Sequence, residues 1–332
     1  MGGGLGFAFQ HRCGLCAILC VSGWGPKFMK ATYHPGVFRY SLFVVVWAAI
    51  LLCAGALVTS EDAALAVPDW PLSYGSLNPP MVGGIAFEHS HRLIATGLGI
   101  LIIVLAVLLW KKEERRWVKY LGLAALAGVI FQGILGGLTV LQLLHYWLPV
   151  MHACTAEIMF GILVSISVFT SRWWMENLPQ YEDSGWLSIH SLAIFNAALI
   201  FLQVFVGAGF RHKYMTLKPH VFGAPIILCM VIWVARVLKR RFPQVAAMKR
   251  VRVLLHSIVG MQIVLGIIAL WTRIQSANDP QPLPPVVIST VVHTVLGATL
   301  FATSIVTVLV CYRLVPRRRE VLLATAKGEI AA

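Results

Sequence analysis

Long apolar runs separated by short polar stretches make up most of this chain. Eight blocks carry little charge: Ser41–Thr59, Glu88–Trp110, Val118–Leu141, Leu148–Ser171, Trp186–Gly209, Leu217–Leu238, Val251–Trp271 and Val286–Tyr312. A helix needs about 20 predominantly apolar residues to cross a bilayer, and only helices or closed barrels satisfy their backbone in lipid. The apolar positions fill whole blocks and do not recur on one face. The pattern therefore predicts an all-α polytopic membrane protein with eight transmembrane helices, in contact with a lipid bilayer on most sides.

Composition agrees. Of 332 residues, 58% are hydrophobic and 12% charged, where a soluble domain carries about 25% charged residues. The net charge of +14 invites a nucleic-acid reading. Its distribution excludes one, because the basic residues gather in KKEERRWVK (Lys111–Lys119), in Arg236–Arg252 and in RLVPRRR (Arg313–Arg319), each against the end of an apolar block. That is the mark of cytoplasmic loops. It predicts a multi-pass inner-membrane protein with both termini cytoplasmic and the loops after spans one, three, five and seven outside. The loop after span four, RWWMENLPQYEDSG, is acidic and opposes this assignment. Seven cysteines give no disulfide framework; Cys13, Cys16 and Cys20 precede the first span and receive no function.

The halves echo each other. FQGILGGLTV (Phe131–Val140) ends span three and MQIVLGIIAL (Met261–Leu270) ends span seven, each followed by a proline-bearing loop and a span with a histidine. Such repeats place sites at related positions. The chain divides into an N-terminal segment (1–40), a four-helix half (41–175), a second four-helix half (176–312) and a tail (313–332). The two halves form pseudo-repeated four-helix bundles.

His91, His152, His220 and His293 all fall near the outer start of an even-numbered span. Intramembrane ionisable groups are rare and mark sites, and facing imidazoles in a helical bundle can hold haem iron from both sides. The bland alternative for each is a helix–helix hydrogen bond. Four at matched depth favour two haem pairs, His220–His293 and His91–His152. Glu88, His91 and Arg92 share a helix face, so the carboxylate stands beside a histidine, where it can hold or replace a ligand, accept a proton or stabilise cationic chemistry. Arg92 suits either a haem propionate or a lipid phosphate, and Arg211 stands near the mouth of the second pair. His89 points toward the outer loop or a neighbouring helix, and His212 reads as a solvated or interfacial loop residue.

TSEDAALAVPDWPLSYG, FEHSHRLIATG, FQGILGGLTV, VMHACTAEI, PHVFGA and VVHTVLGA together resemble the haem A synthase family, over about Ser41–Tyr312. The resemblance implies that the N-terminal half binds the substrate haem O at His91 and His152, with Glu88 as the essential carboxylate. It implies that His220 and His293 ligate a haem b cofactor. The activity implied is oxidation of a methyl group of haem O to the formyl group of haem A, with haem O supplied by haem O synthase, the protohaem farnesyltransferase. Many family members carry two cysteines in the first outer loop; here Val67 and Ser73 stand there. A di-haem b-type electron-transfer cytochrome and a haem carrier remain alternatives, and a homo-oligomer stays open.

Overall fold

The computed structural model describes residues 32–145, 147–279 and 282–316. Cys13, Cys16, Cys20 and the tail beyond residue 316 lie outside the described residues. Among the described residues there are eight long helices: α1 (Pro35–Ser60), α2 (Gly83–Lys112), α3 (Arg116–Leu141), α4 (Trp147–Thr170), α5 (Ile189–Arg211), α6 (Leu217–Arg241), α7 (Ala246–Gln275) and α8 (Pro284–Leu314). All eight are long and apolar enough to cross a membrane. A single helical turn, Arg172–Met175, follows α4.

Most helices overrun the apolar blocks. The 31 residues of α8 extend to ~46 Å at 1.5 Å per residue, well past a hydrocarbon core of ~30 Å. Apolar residues are required only within the core, while the helix continues until its ends are capped. Thus α1 starts at Pro35, whose fixed φ suits a first turn. α2 starts at Gly83, which puts Glu88 in its second turn and not at its end. Conversely, α5 begins at Ile189 instead of Trp186, because Ser188 and Asp183 accept from the first free N–H groups, those of His190 and Ile189.

Helices α1 to α4 pack as a closed ring, and α5 to α8 as a second. The rings meet along α1, α4, α5 and α8. Each has its own core, one around Ile102, Leu109, Val118 and Ile166, the other around Ile189, Val231, Met248 and Leu255. Ala298 and Ala302 of α8 reach into the first core. α4 and α8 are the most enclosed spans, since both lie at the seam.

The acidic loop after α4 finds its partners at the same end of the bundle as the basic clusters. Asp183 pairs with Arg241 at 2.8 Å, and Arg313 donates to the carbonyls of Trp174 and Glu176. Arg115 pairs with Glu113 and donates to the Phe169 carbonyl. Several basic residues are therefore structural fasteners as well as topological signals. This loop's acidity is neutralised locally, so it need not oppose the positive clusters beside it.

Candidate functional site

The four histidines gather at the opposite end, each against a glycine of the preceding helix. A Cβ built on Gly55 would lie 3.1 Å from the His91 ring, on Gly136 3.4 Å from His152, on Gly207 2.9 Å from His220, and on Gly266 3.1 Å from His293. The missing side chain lets each ring lie flush on its neighbour's backbone. Three of the four have a second fixture one turn away. Gln132 Nε2 donates to the His152 carbonyl (3.2 Å), Gln203 to that of His220 (2.7 Å) and Gln262 to that of His293 (3.0 Å). Depth is matched in space rather than by count from helix starts. His220 lies in the first turn of α6, whereas its neighbour His293 lies in the third turn of α8.

His220 and His293 face each other, with ring centroids 6.1 Å apart and planes at 83°. Two imidazole nitrogens each about 2 Å from a shared metal place their ring centroids about 6 Å apart. The spacing fits an iron held from both sides. His91 has His152 and Arg92 among the charged groups acting on it. In all four rings Nδ1 is buried without a hydrogen-bond partner, a costly arrangement at about 1–3 kcal/mol each. Among the described residues no three of His, Cys, Asp and Glu converge as a metal cage; these histidines lie in pairs.

Glu88 and Arg92 bind the loop between α1 and α2 over the first pair. Arg92 donates to the carbonyls of Asp69, Leu72 and Val67 and pairs with Glu88 Oε1 at 2.5 Å. Glu88 Oε2 accepts from the Val67 N–H at 2.9 Å. Arg92, expected at a propionate or a lipid phosphate, thus has its visible contacts within the protein. Ser73 Oγ meets His89 Nδ1 at 2.8 Å, so His89 is a loop anchor turned away from His91. Asp69 accepts from the N–H groups of Gly75 and Tyr74, which hold its carboxyl below the usual range. Trp70 packs on Gly137, next to the glycine under His152.

Arg211 lies in the seam between the halves. It donates to the Ala56 carbonyl, to Ser60 Oγ and to Thr294 Oγ1. Ala56 adjoins the glycine under His91, and Thr294 adjoins His293. One guanidinium therefore links the surroundings of both pairs. His212, just past the end of α5, is half-buried beside this seam. Burial first, then the charges of Arg211 and His152, lower its pKa to about 4. Unfolded, it would titrate near ~6.5. Its depressed value makes stability complete above about pH 6.5 and eroding toward pH 4, where only the unfolded chain takes up the proton. Thermal unfolding in detergent should therefore fall between pH 7 and pH 5, and less so in His212→Gln.

Residues 84–222 match the family model described as cytochrome oxidase assembly protein (COX15-CtaA). The match takes in Glu88, His91, His152 and His220. Over these stretches the chain is similar to haem A synthases. It is 27% identical over 188 residues to the haem A synthase of Halalkalibacterium halodurans, covering 55% of this chain and 62% of that one. It is 37% identical over 107 residues to that of Alkalihalophilus pseudofirmus, 31% of this chain and 36% of the other. To the Shouchella clausii haem A synthase it is 27% identical over 208 residues, 60% of this chain and 66% of the other. The aligned stretches thus span under two thirds of these relatives' own lengths.

The glutamines and glycines under the histidines were missed by sequence reasoning. The signal was present as Q-x-x-x-G: Gln132–Gly136, Gln203–Gly207 and Gln262–Gly266. Gly207 offers a direct test. A Cβ there would come 2.9 Å from His220 Cε1 and 3.1 Å from Nδ1, closer than the ring tolerates without turning. Gly207→Val should cost the purified protein most of any haem held by His220 and His293, read from its absorption spectrum, while Gly99→Val, which meets nothing within 4 Å, should not.

Proposed function

We propose that this protein is a haem A synthase, an inner-membrane oxidoreductase that oxidises a methyl group of haem O to the formyl group of haem A. The observation that carries the reading is the His220–His293 pair at 6.1 Å, in a chain whose other half holds His91 and His152 beside a buried carboxylate. His220 and His293 would hold haem b, with His91 and His152 flanking the substrate haem. When bound, haem b supplies one-electron transfer. Of the protein groups, Glu88 has the chemistry for the proton released from the methyl: a carboxylate accepts at several lone-pair positions, and Arg92 with the Val67 N–H uses only part of them. Arg92 fixes this carboxylate and closes the loop over the site, which limits water. Arg211 ties the two halves at the level of their histidines, and a propionate at the mouth would find the same guanidinium.

The basic end would face the cytoplasm, with both termini there and both haem sites toward the outer surface. Haem O would arrive from haem O synthase, the farnesyltransferase that makes it. Pigment extraction tests the reading: protein purified from cells that make haem O should yield haem B together with haem O and haem A. Haem B alone would indicate an electron-transfer cytochrome, and substoichiometric mixed haem would indicate a carrier.

A further inference from the structure

We infer that His91 is the exchangeable ligand of the first haem pair, and that Gln132, Gln203 and Gln262 are positioning residues that lock the other three histidines. The inference rests on the function proposed above and deepens it. It starts from an asymmetry in a four-fold pattern. Every histidine has its glycine, and in three helices a glutamine four residues before that glycine donates to the carbonyl of the histidine itself. In α1 the corresponding position before Gly55 is Leu51, which has no donor. The nearest tie between α1 and α2 is Trp47 Nε1 to the Ile94 carbonyl at 2.9 Å, almost a turn deeper.

The surroundings give room for the clamps where they occur. Gly223 and Gly297 lie on the histidine's own helix, against Gln203 and Gln262 respectively; a Cβ at Gly223 would overlap the Gln203 side chain. A clamp on the carbonyl fixes the height and rotation of the turn that carries the ring, so the ring cannot withdraw without breaking it. The turn carrying His91 is fastened otherwise. Glu88, His89 and Arg92 bind it to the loop between α1 and α2 through Val67, Ser73, Asp69 and Leu72. His91 therefore moves with that loop, whereas the other three histidines move with a neighbouring span.

The distribution of clamps matches what each half must do. A resident cofactor is best served by two locked ligands, and the second half has two. A substrate must enter and its product must leave, which calls for one locked ligand and one that yields. The first half has one clamp, on His152.

The test uses full-length protein in detergent, loaded in both halves with iron protoporphyrin IX, reduced and mixed with carbon monoxide, which binds only where an imidazole has left the iron. The halves are told apart with His220→Ala, in which only the first is loaded. Carbon monoxide should bind the first half and not the second. Leu51→Gln should slow that binding at least tenfold, and Gln262→Leu should make the second half reactive while its haem stays bound. Should Leu51→Gln fail to accumulate, Gln262→Leu decides alone. Equal reactivity of the two halves in the unaltered protein, or an unreactive second half in Gln262→Leu, overturns the inference and leaves the haem A synthase reading intact. Failure to bind haem in either half overturns both.

Discussion

Glu88→Gln is expected to abolish haem A formation while leaving the haem b spectrum of the second half unchanged. The carboxylate is 4% exposed, with one oxygen on Arg92 and the other on the Val67 N–H. Glutamine keeps the size and an acceptor for Val67 but loses the negative charge and the ability to take a proton. General acid–base groups contribute about 10²- to 10⁴-fold, so haem A output, measured by pigment extraction, should fall at least a hundredfold. Part of the effect has a structural origin. Removing one partner of a buried pair leaves the other charge uncompensated, at about 3–5 kcal/mol, and Arg92 also holds the loop. Arg92→Gln separates the two contributions. If Glu88 acts only by fastening the loop, the two variants fall together; if it handles the proton, Glu88→Gln falls much further. Normal haem A output from Glu88→Gln would remove this carboxylate from the chemistry.

His293→Ala is expected to have the largest effect on the second half. The ring packs on Gly266 and faces His220, so its removal takes away one side of the pair and opens a gap beside it. Loss of an axial imidazole changes both the affinity and the spin state of bound haem. On the function proposed above, purified His293→Ala should lose the low-spin b-type absorption of that half, and haem A formation should drop at least tenfold with it. Haem O bound at the first half should persist in the extracted pigments. Retention of the b-type spectrum would show that His293 is not a ligand.

The two outcomes bear on how far the chain could be read without coordinates. The eight spans were legible because the apolar requirement of the hydrocarbon core is written into contiguous residues. Their ends were less so, as at Gly83 or Ala246, because beyond the core the apolar requirement lapses, and no side-chain cap marks either start. The four histidines stood out since an imidazole in an apolar block is rare. Their glycine and glutamine supports did not, because glycine and glutamine are unremarkable in any one helix and acquire meaning only when a neighbouring span is laid against them. Arg92 shows another limit: its charge suggests an external anion, yet it also donates to the carbonyls of a loop some 20 residues away in the chain, and no periodicity encodes that meeting.

Arg211 carries a consequence for dissecting the molecule. Its acceptors come from α1 and α8, the first and last spans, while the residue itself stands at the end of α5. Cutting the chain between residues 176 and 188 would yield two four-helix pieces on paper. Each would present to lipid the flank of α4 or α8 that is now enclosed, and the second would carry a cation whose main-chain acceptor left with the first. The repeat in the sequence is thus no guide to separable modules, and study of either histidine pair calls for the intact chain with the other pair disabled by substitution.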